Sequence, residues 1–306
     1  MIILFHNEGR FAHQLNQFIF LLSLSIEYKR PFHYRTFEEK YFSILDTSLP
    51  LIRTYYQKKS LKTTLYYGLY RFLKTTKRNI VRHRKFIALL NYHKSSELLN
   101  ESDQLHDGLK ARKTVITDMM IKEIPKSLAY RSVIRASVQI AESIRKPMDT
   151  YLSELRQHAD QLVGVHIRRD DYRQFLDGRL FYSNQQYKKL IQHFIAINPN
   201  SKTAFIICSD EPVNLLDFEG LPVHNVQRSL AQDFYLLQSV DYIIGPHSIF
   251  TLMANYLSDN RLYQVFDPDW QFSMDDFLPC EKLLNDRYLN LQYVEDFFNE
   301  NENTII

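Results

Sequence analysis

The sequence predicts an α/β fold with parallel sheets, and three features of the chain lead to that prediction. Short apolar runs alternate with segments of helical periodicity through most of the second half. Polar and charged residues follow directly after several of these runs, as they do at the carboxyl edge of a parallel sheet. The chain has 306 residues and 45% apolar content, enough for two domains with buried cores. We expect domains at 1–150 and 151–306, with Pro147 near the boundary.

The amino-terminal half begins with a strand over 2–5, a polar loop over 6–12 and a helix over 13–28. The loop and the start of the helix hold many hydrogen-bonding side chains. These are Glu8, Arg10, His13, Gln14 and Gln17. A plain connector is the alternative, but this density of polar groups around a turn favours a binding loop. A further strand is expected over 113–118 and a helix over 127–156, with a break at Lys146-Pro147 as the alternative to one continuous helix.

The carboxyl-terminal half has the more regular pattern, with strands and helices in alternation. The predicted elements are strands over 162–167, 204–208, 223–226, 242–244 and 262–266, and helices over 184–197, 231–239 and 249–257. Because all strand-to-helix turns of a doubly wound sheet emerge at one edge, we expect four turns to lie together. They are 168–171, 209–211, 227–233 and 245–248.

A basic segment lies between residues 51 and 94, where 12 Lys or Arg occur and no Asp or Glu. The formal net charge of the whole chain is only +3, so the total hides this segment. Its aromatic and leucine residues approximate one helical face, which predicts a basic helical insertion in the first domain. The interpretation without a binding role is a solvated helical hairpin packed on the first domain. The functional alternative, mainly over 53–94, is a surface for anionic lipid or an acidic glycan; no nucleic-acid motif accompanies the charge.

Several function classes lack their motifs. The seven glycines form no GxGxxG and no GxxxxGK[ST], so the phosphate cradles of dinucleotide-binding and P-loop proteins are absent. HExxH, CxxC and GxSxG do not occur either. Cys208 and Cys280 lie in different contexts, which indicates a reducing compartment and no disulfide framework. No apolar run is long enough for a membrane span, so we expect a cytoplasmic protein, peripheral at the inner membrane face at most.

The segment 161–172, QLVGVHIRRDDY, carries the densest charge at a predicted strand end. Arg168 and Arg169 suit a bidentate anion such as a diphosphate. The alternative is a surface network in which they pair with Asp170, Asp171 and Asp177. Ser248 would open a helix, where free N–H groups attract an anion, although an N-cap alone also selects serine.

Three motifs resemble the fucosyltransferase superfamily, most closely its α-1,2 members. VHIRRDDY at 165–172 is similar to the HxRRxD motif of that family. GRFAHQLNQF at 9–18 is similar to its GGLGNQMFQY, and the segment 233–257 resembles its third motif, with Asp233, Ser248 and Phe250 matched. The departures include Asp170 in place of a motif glycine and His247 in place of an asparagine.

The resemblance implies a GT-B architecture, in which two Rossmann-type domains face a cleft. It implies that the donor GDP-fucose binds the carboxyl-terminal domain and that an oligosaccharide or lipid-linked glycan binds the amino-terminal one. The donor residues it suggests are Arg168, Arg169, Asp210, Asp233, His247 and Ser248, and the acceptor or loop residues are Glu8, Arg10, Gln14 and Gln17.

The expected reaction is inverting transfer, without a metal or cofactor, because guanidinium groups can stabilise the diphosphate that leaves. Arg168 is the expected catalytic cation, and Asp171 or His13, with Glu8 third, is the expected proton acceptor. Two alternatives stay open. The same scaffold can take another nucleotide sugar, or the chain can bind nucleotide sugars or glycans without turnover.

Overall fold

A computed structural model describes residues 1–5, 9–75, 87–90, 105–118 and 124–286. The chain divides into two compact units, Met1–Lys146 and Pro147–Ile306. None of the helices in these described ranges has the length and hydropathy that a membrane span requires.

The first unit contains a four-stranded parallel sheet. Its strands are β1 (Ile2–Leu4), β2 (Phe32–Tyr34), β3 (Ile87–Leu90) and β4 (Thr114–Thr117), in the order β2-β1-β4-β3. Its described helices are α1 (Phe11–Tyr28), α2 (Arg35–Lys40), α3 (Pro50–Tyr55), α4 (Leu61–Thr75), α5 (Ile124–Ala129) and α6 (Arg131–Ser137). Helix α7 (Glu142–Arg156) contains Pro147, the first residue of the second unit.

Helix α1 is the central helix of the first unit, and most of its residues are buried. Its apolar residues surround the helix instead of forming one stripe, which is typical of a helix enclosed on all sides. Phe18 stacks on Phe37 with ring centroids 4.8 Å apart, and its ring meets that of Phe32 edge to face. Aromatic packing therefore joins α1 to strand β2 and helix α2.

The second unit contains a five-stranded parallel sheet with helices between the strands. Its strands are β5 (Gln161–Ile167), β6 (Thr203–Ser209), β7 (Val223–His224), β8 (Tyr242–Pro246) and β9 (Arg261–Val265), in the order β7-β6-β5-β8-β9. Its helices are α8 (Asn184–Ile197), α9 (Leu230–Ser239), α10 (Ile249–Tyr256) and α11 (Cys280–Asp286). Because all five strands are parallel, the turns that follow them lie at the same edge of the sheet, the edge formed by the carboxyl ends of the strands.

Strand β5 is covered on both faces. Val163, Val165 and Ile167 belong to a large apolar cluster that also includes residues of α8. On the opposite face Gly164 lies under α9, and a Cβ atom there would come 2.5 Å from Leu237 Cδ2. Glycine is therefore required for the close approach of helix and strand.

The expected α/β fold with parallel sheets is confirmed, and the predicted helix over 184–197 has the bounds of α8. Two regions differ from the sequence prediction. Residues 87–90 form a strand inside the segment predicted to be helical, because a short apolar run without charge suits a parallel strand as well as a helix. The helix expected over 127–156 is divided among α5, α6 and α7, and the alternative break at Lys146-Pro147 is not observed, because Pro147 lies inside α7. Much of the basic segment and the tail beyond 286 lie outside the described residues.

Candidate functional site

The sheet of the second unit has a topological switch point between β5 and β8. Numbered from the first strand of the unit, the order β7-β6-β5-β8-β9 is 3-2-1-4-5, the arrangement of doubly wound nucleotide-binding sheets. Such sheets bind ligands outside the carboxyl ends of the strands at the switch point. In this chain the residues at that point are Arg168, after β5, and His247 and Ser248, after β8.

Arg168 is held between two carboxylates. Its Nη2 lies 2.7 Å from Asp171 Oδ1, and its Nη1 lies 2.9 Å from Asp210 Oδ2. The Arg168 side chain is 16% exposed, so it is partly desolvated and still reachable from solvent. The guanidinium also lies 5.7 Å from the centre of the Tyr172 ring. The ion-pair alternative is thus realised for Asp171, and the orientation of Arg168 is fixed by its partners.

Asp210 joins the ends of β5 and β6. While Oδ2 accepts from Arg168, Oδ1 accepts from the backbone N–H of Arg169 at 2.9 Å. Burial raises the pKa of Asp210, and the charge of Arg168 and the hydrogen bond from Arg169 oppose this shift. Both carboxylate oxygens of Asp210 therefore have partners within the protein. This arrangement favours a role in orienting Arg168 over a direct contact with a nucleotide.

Arg169 has partners of its own, on a different side of the turn. Its Nη2 donates to Asn184 Oδ1 at the start of α8, and its guanidinium lies 5.7 Å from the Phe181 ring centre. Adjacent residues of an extended chain point to opposite faces, so the two guanidiniums diverge. The described contacts therefore do not bring the two guanidinium groups onto one partner: Asp210 pairs with the guanidinium of Arg168 and with only the backbone N–H of Arg169.

Tyr172 connects the turn after β5 to the turn after β8. Its hydroxyl donates to the carbonyl oxygen of His247 at 2.5 Å. Burial raises the pKa of Tyr172 to about 12, and a hydrogen bond with Ser248 opposes the shift. Ser248 is the N-cap of α10, since its Oγ accepts from the Phe250 N–H at 3.2 Å. Arg168 and the amino terminus of α10 thus belong to one connected group of side chains.

Asp233 lies in the first turn of α9 and is paired with Arg228. Arg228 Nε lies 2.7 Å from Asp233 Oδ1, and the side chains are only 2% and 13% exposed. Arg228 also donates to the carbonyl oxygen of Ile207 near the end of β6. Burial raises the pKa of Asp233, opposed by Arg228. Asp233 is predicted to contact the nucleotide, but in the structure its carboxylate is already paired with Arg228.

Sequence reasoning missed Arg228. The signal was present, because Arg228 directly precedes Ser229, the N-cap of α9, and lies five residues before Asp233. A lone arginine in a loop does not reveal whether it is buried, however. Only the packing beneath the end of β6 shows that this arginine is enclosed.

Two buried histidines lie beside this group. His166 stacks on Phe250 with ring centroids 5.1 Å apart. Burial lowers its pKa to about 3, and the nearby Arg168 charge lowers it further in the same direction. Burial also lowers the pKa of His247 to about 4, opposed by a hydrogen bond with Gln264. Both imidazoles are therefore neutral near pH 7.

The amino-terminal candidates lie in the first unit, mostly in α1. Arg10 is its exposed N-cap residue and makes no side-chain capping bond, while His13 lies in the first turn. Gln14 and Gln17 are 0% exposed, and Gln14 Oε1 accepts from the Tyr34 hydroxyl. The helix begins at Phe11, so both glutamines are buried helical residues. Their predicted part in acceptor binding stays a prediction. Glu8 lies outside the described residues.

The donor set at the sheet edge suits an anion better than a cation. Arg168 and the N–H groups at the start of α10 are donors, and a helix amino terminus carries partial positive charge. Among the described residues, no group of three or more His, Cys, Asp or Glu is arranged to hold a metal ion. The arrangement can therefore bind a phosphate group and stabilise negative charge that develops on it.

The sequence matches no protein-family model, and no curated protein matches it significantly by sequence. Solved structures do match. A fucosyltransferase NodZ from Bradyrhizobium matches with a TM-score of 0.55 and 17% identity, over 86% of this chain and 94% of that chain. A variant of FUT1 from Arabidopsis thaliana in complex with GDP matches with a TM-score of 0.56 and 10% identity, over 87% and 71%. The chain therefore shares the α/β fold of these GT-B-like fucosyltransferases.

Proposed function

We propose that the protein is an inverting glycosyltransferase that transfers fucose from GDP-fucose to a glycan or a lipid-linked oligosaccharide. The observation that carries the proposal is Arg168, fixed at the switch point of a doubly wound sheet by Asp210 and Asp171. The fold similarity to fucosyltransferases, one of them in complex with GDP, supports this choice of donor.

In this proposal the donor diphosphate lies between Arg168 and the amino terminus of α10. As the bond between the anomeric carbon and the diphosphate oxygen breaks, that oxygen keeps the electron pair. Arg168 and the helix N–H groups then stabilise the developing charge. Tyr172 keeps these two elements in register through its bond to the His247 carbonyl.

The new bond forms in the same step, between the anomeric carbon and the acceptor hydroxyl oxygen, with inversion. The hydroxyl proton passes to a general base. Asp171 is the candidate in the second unit; it is 49% exposed and paired with Arg168. His13 and Glu8 are the candidates in the first unit. We propose that no metal or cofactor takes part, and activity that survives a chelator would support this.

A donor panel tests the reaction. The purified protein is incubated with GDP-fucose, GDP-mannose, UDP-glucose and UDP-N-acetylglucosamine, without acceptor, and release of GDP or UDP is measured. Slow hydrolysis of GDP-fucose alone is the expected result. Hydrolysis of a different donor would favour the same scaffold with another nucleotide sugar. Tight donor binding without hydrolysis, and without transfer to any glycan, would favour a non-catalytic binding protein.

Arg168→Ala tests the site, with Arg173→Ala as the matched control. Arg173 lies five residues further along and pairs with Glu211, but its side chain is 52% exposed. Removing a preorganised donor costs ~2–4 kcal/mol in transition-state stabilisation, so kcat/KM should fall about 30- to 1,000-fold in Arg168→Ala. Arg173→Ala should remain near wild type. Equal activity of the two variants would remove Arg168 from the mechanism.

The acceptor linkage is a finer part of the proposal. The motif resemblance favours α-1,2 transfer, and methylation analysis of the fucosylated product identifies the linkage. A product linked at another position would retain the fucosyltransferase proposal and correct its α-1,2 part.

We further propose that helix α4 brings the protein to an anionic membrane surface, at the inner face in the cytoplasm. Its Leu61, Leu65 and Leu69 are 78%, 66% and 40% exposed and recur at spacings of four, so they form one outward stripe. The opposite side is anchored, because Tyr70 is buried and its ring lies 5.1 Å from that of Phe5. The surrounding segment 51–94 has 12 basic and no acidic residues. An exposed apolar stripe with basic flanks is typical of interfacial helices.

Vesicle sedimentation tests this surface. Binding to vesicles rich in phosphatidylserine should exceed binding to neutral vesicles and should weaken with salt. Leu61→Ser/Leu65→Ser should reduce binding, whereas Leu215→Ser/Leu216→Ser is a matched control on exposed leucines of the second unit. Equal binding to neutral and anionic vesicles would contradict the proposal.

A further inference from the structure

A separate cavity of about 330 Å³ lies between helix α8 and the loop that follows β9. The polar and aromatic residues that line it are Lys189, Gln192, His193, Asp269, Trp270 and Gln271. None of them belongs to the group around Arg168. The cavity is therefore distinct from the group around Arg168, and the proposed reaction gives it no role.

Trp270 is the single tryptophan of the chain, and its side chain is 60% exposed. Exposed tryptophan gives a large apolar face that loses little conformational entropy on binding a ligand. An isolated exposed apolar residue requires no explanation by itself. This one, however, lines a concave site together with polar groups, which is the usual composition of a small-molecule site.

The loop that presents Trp270 is fixed on both sides. Asp269 pairs with Lys189 of α8 at 2.8 Å, and the Asp269 N–H donates to Asp267 Oδ1 at 2.8 Å. On the other side the His193 ring bonds the Phe272 carbonyl at 2.7 Å and meets the Phe272 ring edge to face. The backbone that carries Trp270 is therefore held before a ligand binds, which lowers the entropic cost of binding.

The lining groups match a neutral, hydroxyl-rich ligand. Gln192 and Gln271 each offer a donor and an acceptor, as sugar hydroxyl groups do. Lys189 and Asp269 neutralise each other, so the cavity offers no net charge for an anion or a cation. A pyranose ring has an apolar C–H face that can lie on the indole while its hydroxyls meet the two amides.

We propose that this cavity is a carbohydrate-binding subsite, separate from the donor site. The loop that carries Trp270 begins at the carboxyl end of β9, in the same parallel sheet in which Arg168 follows β5. Its use in transfer, as a hold on a remote part of the acceptor, rests on the proposed function. Binding of the glycan itself does not.

Because Trp270 is the only tryptophan, its fluorescence reports on this cavity alone. The full chain is titrated with chitotetraose, lacto-N-tetraose and maltohexaose, and separately with GDP. A saturable spectral change with at least one of the three oligosaccharides, and none with GDP, is expected. Arg168→Ala should lose GDP binding and keep the oligosaccharide response. Failure of the donor site and failure of this subsite are therefore distinguishable.

Calorimetry with the responding oligosaccharide completes the test. Trp270→Ala should weaken its binding about tenfold or more, since losing the aromatic face removes on the order of 1.4 kcal/mol. GDP binding and the thermal midpoint of Trp270→Ala should stay unchanged, because the side chain is exposed. No response to any of the three oligosaccharides, or equal affinity in Trp270→Ala, would overturn the proposal.

Discussion

The two units treat polar residues after their first strand in opposite ways. In the first unit the glutamines that follow β1 lie in helix α1 and face the core, and both are 0% exposed. In the second unit Arg168 follows β5 directly and stays 16% exposed between two carboxylates. Both units use strand, turn and helix in a parallel sheet. The position at which the following helix begins therefore decides whether a polar side chain is buried in the core or stays at the edge of the sheet.

The second unit repeats the contrast on a smaller scale with two Arg–Asp pairs. Arg228 and Asp233 are enclosed, whereas Arg168 keeps a path to solvent. A buried ion pair is difficult to break, because removing either partner leaves an uncompensated charge in the protein interior. A partly exposed pair can exchange a carboxylate for a ligand anion. Substitutions of enclosed residues and of residues at the sheet edge should therefore differ in their effects on stability and on binding.

Breaking the enclosed pair should give the largest loss of stability. Arg228→Met leaves the Asp233 carboxylate buried and unpaired, so the free energy of unfolding should fall by ~3–5 kcal/mol in urea titrations. The control is Arg156→Met, which breaks the exposed pair with Asp241 and should cost ~0–1 kcal/mol. Equal losses in the two variants would contradict the distinction between buried and exposed pairs.

Acid should destabilise the second unit through its buried histidines. The folded pKa of His166 is lowered to about 3 and that of His247 to about 4, while an unfolded histidine has a pKa near 6.5. The stability that the two neutral histidines contribute is therefore fully present well above pH 6.5. It falls by ~1.4 kcal/mol per pH unit for each histidine as pH decreases toward these values, because the unfolded state binds the proton first.

The variant His166→Asn removes one of the two titrations. Its stability should depend less on pH between about 6 and 4, measured by urea unfolding across that range. Its absolute stability at pH 7 is not part of the comparison, since only the slope is measured. An unchanged slope would show that His166 does not carry the acid response.

In the first unit, Gln14→Ala should cost ~1–3 kcal/mol, because it leaves the buried Tyr34 hydroxyl without this acceptor. The double variant Gln14→Leu/Tyr34→Phe removes both partners and should recover much of the loss. If Gln14 serves the core and not the acceptor, the double variant should also keep the acceptor KM. A raised acceptor KM at restored stability would return Gln14 to the binding site.

Two capping serines give the smallest but most selective test. Ser248→Ala and Ser229→Ala each remove an N-cap and should cost ~1 kcal/mol of stability. Only Ser248→Ala should also weaken GDP binding, because Ser248 lies at the switch point and contacts Tyr172. Calorimetric titration with GDP separates the two effects. Equal GDP affinity in both variants would limit Ser248 to capping.

Local pattern was sufficient for the fold of the second unit. The apolar run before Arg168 and the helical spacing after Ser183 predict β5 and α8 with nearly their observed bounds. The short strands β2 and β3 were not recognised, because three or four residues give too little periodicity. The turn containing Asp210 was placed correctly because strand ends in a parallel sheet share an edge.

The sequence by itself determined which charges stand at strand ends, since that depends on the order of residues and on the common direction of parallel strands. Only the tertiary structure decided which of them are enclosed. Arg228 lies beside Tyr151 of α7 and Gln14 bonds Tyr34 of β2, so their burial depends on elements from elsewhere in the chain. For the same reason, the cavity between Trp270 and α8 could not be predicted from the sequence, because it is formed by segments some 80 residues apart that contact each other through Lys189 and Asp269.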